Sequence, residues 1–140
     1  MKKKKNYKFL IVVSEFYPDI TKNLVSEAQI HCKKLNLKND LYFVNGSLEI
    51  PTLISMKIRN KKYDAVVALG CIIRGQTKHF DLIASAITNS LLQLSITNSI
   101  PITNAVLTCD NMKQAVMRSS KKMNRAKEAI DAALSILRNF

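Results

Sequence analysis

A chain of 140 residues that is 47% hydrophobic is long enough to bury most of its apolar surface in a single core, and no second domain is needed. Its 22 Lys and Arg against 10 Asp and Glu give a net charge of +12, which favours anionic partners and says nothing about fold. The cysteines, Cys32, Cys71 and Cys109, form neither a C-x-x-C metal pattern nor an even disulfide framework, and the apolar stretch after the basic N-terminus, residues 9–13, is too short for a signal-peptide core or a membrane span; a soluble cytoplasmic protein is expected.

In chain order, residues 1–7 form a basic arm, and Lys8–Ser14 reads as a strand. Residues 20–35 read as a helix with Leu24, Ala28 and Leu35 on one face. A short strand over 41–44 leads to a helix over 50–59 with Pro51 in its first turn, where a missing N–H costs little. Ala65–Ile73 is a third strand, a nearly continuous apolar run of the kind buried on both faces. The clearest helix covers 78–96, with Phe80, Ile83, Ile87, Leu91 and Leu94 stepping by three and four. A fourth strand over 101–108 precedes a helix with Asp110 as its expected N-cap, and a last helix covers 124–138. Alternating strands and helices predict an α/β fold with a four-stranded parallel sheet between two helical layers, an α/β/α sandwich.

Such sheets bind ligands beyond the carboxyl ends of their strands. The loops after the four strands begin at Ser14, Val44, Cys71 and Thr108, and the three glycines, Gly46, Gly70 and Gly75, are expected at this edge, where backbone turns sharply or approaches a ligand. The Walker lysine loop and the G-x-G-x-x-G fingerprint are absent, which argues against a nucleotide-phosphate enzyme. His31 and His79 lack partners at metal-ligand spacing. The basic clusters (residues 2–5, 57–62 and 121–127) carry no interleaved aromatics, so they read as solvated faces and not as a nucleic-acid surface.

Segments 44–51, 68–81, 101–108 and 114–118 bring a family into view. The Ile-Arg-Gly-x-Thr-x-His segment at 73–79 is the specific part, supported by Gly-x-x-Glu-Ile-Pro at 46–51, Val-Val-Ser-Glu-Phe at 12–16 and Gln-Ala-Val-Met-Arg at 114–118. The chain closely resembles the lumazine synthase family over nearly its whole length. That resemblance implies one flavodoxin-like domain over 1–140. It also implies the condensation of 5-amino-6-(D-ribitylamino)uracil with 3,4-dihydroxy-2-butanone 4-phosphate to 6,7-dimethyl-8-ribityllumazine, the penultimate step of riboflavin biosynthesis. No cofactor or metal is implied. The implied partners are the small-molecule substrates, further copies of the chain in a pentamer or pentamer-based shell, and riboflavin synthase; nucleic acid and membrane are not among them.

The same resemblance suggests roles residue by residue. His79 becomes the proton-transfer group, an imidazole titrating near operating pH; by itself it reads first as a capping or packing histidine at a helix start. Gln76, Thr77 and Arg118 become phosphate ligands, the first two just before a helix N-terminus and the last a planar fork. Without the family, Thr77 is an ordinary N-cap and Arg118 an exposed helical arginine. Phe16 matches the aromatic stacked on the pyrimidine, its alternative being a core phenylalanine at a strand end. Ser47, Leu48 and Glu49 match the stretch that meets the ribityl chain and uracil, with Leu48 in place of a common phenylalanine. Cys71, Ile72 and Ile73 line the pyrimidine pocket, and Asn104 stands where many members carry a phenylalanine from the neighbouring subunit. Arg74 is expected in a structural or intersubunit ion pair.

Overall fold

The computed structural model describes residues 6–60, 62–75 and 79–140. The apolar runs form β1 (Lys8–Ser14), β2 (Lys38–Val44), β3 (Ala65–Ile73) and β4 (Ile102–Cys109), all parallel, in the spatial order β2-β1-β3-β4. Among the described residues the helices are α1 (Pro18–Lys34), α2 (Ile50–Lys57), α3 (Phe80–Asn98), α4 (Met112–Arg118) and α5 (Arg125–Leu137), with 3-10 turns at Ser47–Glu49 and Ile58–Asn60. None is long and apolar enough to cross a membrane.

Side chains alternate across the pleat and so feed two cores. Phe9, Ile11, Val13, Val67 and Leu69 pack with Leu24, Ala28, Ile130 and Ala133 of α1 and α5. Leu10, Val12, Val66 and Ala68 pack with Ile54 of α2 and with Phe80, Ile87 and Leu91 of α3. The three-layer sandwich follows, and every residue of β3 is buried inside it. Burying a side chain such as Ile87 or Leu91 contributes about 1.5–3 kcal/mol, which holds α3 in place however weak its intrinsic propensity.

The differences from the sequence reading lie at element ends. β2 begins at Lys38, because Lys38, Asn39 and Asp40 pair with Lys8, Phe9 and Leu10 on β1. Their polar side chains are tolerated on an edge strand: Asn39 bonds Gln29 at 3.0 Å, and Asp40 accepts from the Tyr63 hydroxyl at 2.6 Å. α1 begins at Pro18, whose fixed φ suits a first turn. The expected cap at Asp110 is corrected. β4 runs on to Cys109 beside Ile73, and Asn111 becomes the N-cap, its Oδ1 accepting from Gln114 N at 2.9 Å. Gly70 is corrected too, since it lies inside β3 and makes no turn. A Cβ there would stand 3.1 Å from Ser47 Oγ and 3.3 Å from Ser14 Cβ, so glycine lets the 3-10 turn after β2 pack onto the strand.

Candidate active site

Strand order reverses between β1 and β3, since β2 lies outside β1 and β4 outside β3. Ligands of open α/β sheets bind at such a switch point. Here the crevice has a definite origin. β1 pairs with β3 only as far as Val13 and Leu69, while β3 continues beside β4 to Ile73 and Cys109. Backbone groups of a strand point alternately to its two neighbours. Val66 and Arg74 donate toward the β4 side, to Pro101 and Cys109 carbonyls, so Cys71 and Ile73 direct their N–H and C=O to the other side. Beyond Leu69 that side has no strand partner among the described residues, and buried main-chain polar groups need one. A flat ligand with amide-like edges fits the gap.

Of the expected residues that the structure describes, all but Asn104 lie at or just beyond the carboxyl ends of the strands or on the helices that follow them. Phe16 follows β1 and is 63% exposed, so it is not a core phenylalanine; it packs edge-on against Tyr17 with ring centroids 5.0 Å apart. Ser47 is buried, while Leu48 and Glu49 are exposed beside it. Glu49 Oε1 accepts from Gly46 N at 2.9 Å, which orients the carboxylate. The side chains of Cys71, Ile72 and Ile73 are buried in the two cores, so toward a ligand they offer backbone. Burial pushes the Cys71 thiol up to about 12 and holds it neutral. His79 occupies the N-cap position of α3, with no cap bond from its side chain. Arg118 ends α4, its Nη1 donating to the Thr108 carbonyl at 3.1 Å and lying 3.7 Å from Cys109 Sγ. Gln76 and Thr77 lie outside the described residues. Asn104 is the exception, an exposed residue on the outer edge strand, level with Ala68 and below the carboxyl edge. Its Oδ1 accepts from the outward Val106 N at 2.8 Å, leaving its NH2 as the donor.

Sequence reasoning passed over Ser14. Its hydroxyl and that of Ser47 are buried with no hydrogen-bond partner among the described residues, and both residues flank Gly70. A buried unpaired hydroxyl costs about 1–3 kcal/mol, so the floor of the crevice is polar and under-satisfied. The available signal was a serine closing an apolar strand at the functional edge. Among the described residues no group of three or more His, Cys, Asp or Glu is gathered to hold a metal ion.

The Glu49 arrangement makes one prediction. In Gly46→Ala the new Cβ would meet Glu49 Oε1 at 2.9 Å and displace the carboxylate. Because the φ of −130° at Gly46 suits alanine, the melting temperature should hold while KM for the ribityl-bearing substrate that the family resemblance implies rises about 10- to 100-fold, one lost hydrogen bond to a charged group. A lower melting temperature with unchanged KM would refute this role for Glu49.

Fold and topology define an α/β protein with a switch-point crevice, of the class that takes small-molecule ligands beyond the carboxyl ends of its strands. Residues 6–140 match the 6,7-dimethyl-8-ribityllumazine synthase family. The chain is 36% identical over 134 residues to the 6,7-dimethyl-8-ribityllumazine synthase of Methylorubrum populi, covering 91% of this chain and 79% of that protein. To the enzyme of that name from Limosilactobacillus reuteri it is 39% identical over 113 residues, covering 80% and 74%. The chain belongs to the lumazine synthase family.

Proposed function

We propose that this chain catalyses its family's reaction, the formation of 6,7-dimethyl-8-ribityllumazine from 5-amino-6-(D-ribitylamino)uracil and 3,4-dihydroxy-2-butanone 4-phosphate, in the crevice beyond β1 and β3. The overhang of β3 carries the assignment, because Cys71 and Ile73 offer main-chain donors and acceptors to the pyrimidine edge. Phe16 covers the ring, and Ser47 with Glu49 meets the ribityl hydroxyls. Arg118, with Gln76 and Thr77, holds the phosphate.

The chemistry proceeds in three stages. The 5-amino nitrogen attacks the butanone carbonyl and water leaves to give an imine. A proton is then removed beside the phosphate-bearing carbon as phosphate departs, and the resulting enol becomes a ketone. The ribitylamino nitrogen closes on that ketone with loss of a second water. His79 takes and returns the protons. The purified protein mixed with both substrates should develop lumazine absorbance. His79→Ala should slow this up to about 100-fold, yet leave a measurable rate, because holding the substrates together supplies much of the acceleration. A variant no faster than buffer would show that the histidine does more than transfer protons.

The working form is a ring of five chains or a shell of such rings, with Asn104 reaching the crevice of a neighbour. Two features support assembly. From Leu82 to Asn98, α3 has no charged residue, and its outer face exposes Leu82, Ala86, Asn89, Gln93 and Ile96. α4 exposes Met112, Val116 and Met117. Uncharged faces that expose large apolar side chains such as Leu82, Ile96, Val116 and Met117 suit interaction surfaces. Riboflavin synthase, which consumes the lumazine, is the enzymatic partner, and the three free, buried thiols are compatible with a cytoplasmic location.

A further inference from the structure

Arg74, at the end of β3, is bound on three sides. Its Nε lies 3.1 Å from Asp110 Oδ1, its Nη2 3.4 Å from Asp81 Oδ1, and its guanidinium carbon 4.5 Å from the centre of the Phe80 ring. Asp81 stands in the first turn of α3, two residues after His79. Asp110 follows Cys109, the residue whose thiol lies against Arg118. One carboxylate thus stands at the start of α3, and the other belongs to the residue next in the chain to the Cys109 that touches Arg118.

Stability gives little reason for this convergence. All three side chains are more than half exposed, and ion pairs of that kind contribute almost nothing to folding. Local structure does give a reason for one acid, since an aspartate suits the positive end of α3. The cost is negative charge at the same helix start and next to the same strand end as the proposed anion site, and exposed charges act over roughly 10 Å at 0.1 M salt.

We propose that Arg74 is a charge shield: its single positive charge offsets half of the negative charge of Asp81 and Asp110, so that the phosphate of the butanone substrate reaches Arg118 and the α3 N-terminus against less opposition. Arg74 is thus a positioning residue that sets anion affinity through its two partners and not by touching phosphate. The inference rests on the reading that Arg118 and the start of α3 hold the phosphate.

The test compares KM for each substrate, and inhibition by inorganic phosphate, in wild type, Arg74→Gln, Arg74→Gln/Asp81→Asn/Asp110→Asn, Asp81→Asn/Asp110→Asn and Arg118→Ala. Each variant's thermal unfolding is measured alongside. Arg74→Gln should raise KM for the butanone phosphate and weaken phosphate inhibition about 5- to 10-fold, with the pyrimidine KM nearly unmoved and the effect shrinking as salt is added. The triple variant, whose cluster carries no charge against −1 in wild type and −2 in Arg74→Gln, should return to the wild-type KM or below it. Asp81→Asn/Asp110→Asn, which keeps the arginine, should not raise the phosphate KM. A triple variant no better than Arg74→Gln, or a raised phosphate KM in the double variant, would overturn the shield in favour of a direct ligand or a structural clasp. An unchanged phosphate KM in Arg118→Ala would overturn the phosphate site itself and the shield with it. A raised one, with no rescue in the triple variant, would overturn the shield alone.

Discussion

Arg118→Ala is expected to raise KM for 3,4-dihydroxy-2-butanone 4-phosphate about 10- to 100-fold, the value of a charge-assisted contact to phosphate. The pyrimidine KM should change far less. The guanidinium is partly exposed, and its hydrogen-bond contacts among the described residues are a carbonyl at 3.1 Å and a thiol at 3.7 Å, so removing it leaves no buried charge behind there. The melting temperature should therefore move little. Arg118→Lys keeps the charge without the planar fork and should fall between wild type and alanine. An equal rise in both KM values would point to damaged assembly in place of a lost anion contact. Burial raises the neighbouring Cys109 thiol, with Arg118 opposing that rise, so the alanine variant should also react more slowly with thiol reagents at mildly alkaline pH.

The second large effect concerns the outer face of α3. Leu82→Glu/Ile96→Glu should convert the proposed assembly of about five 15.8 kDa chains, or a multiple of it, into single chains by light scattering. Activity should fall by about 100-fold or more, because unpaired charges in an apolar interface cost several kcal/mol each. Both side chains are exposed within one chain, so the monomer should still fold. Loss of activity then tests whether the site is shared. A companion experiment mixes Phe16→Ala/Glu49→Ala chains with Asn104→Ala/Arg118→Ala chains and reassembles them. Activity should return in part, at boundaries where both intact halves meet. Full activity in the monomeric variant, or no recovery in confirmed mixed rings, would exclude a shared site.

Much of this molecule was legible from local pattern. The run Ala65–Ile73 had to be a central strand, and the spacing of Phe80, Ile87 and Leu91 had to be one face of a helix, because periodicity reports burial directly. The loops after the strands pointed to the carboxyl edge as the candidate site, and the Ile-Arg-Gly-x-Thr-x-His segment pointed to the family. Element ends were less legible. Whether β2 starts at Lys38 or three residues later depends on what β1 offers as a partner, and whether Asp110 or Asn111 caps α4 depends on how far β4 follows β3.

Taken alone, the sequence determined the fold class, the order of the elements and the kinds of residue at the carboxyl edge, since each is written in spacing within a few turns of chain. Tertiary structure decided how those residues are used. It placed Cys71 and Ile73 where β3 outruns β1, set Ser14 and Ser47 against Gly70, tied Asn104 to its own edge strand and drew Asp81 and Asp110 onto Arg74. Apart from the Asn104 bond, these arrangements join residues from separate elements, and the relative lengths of neighbouring strands bring them together. Hydrophobic periodicity records which face of an element is buried, but not how far one strand extends past the next.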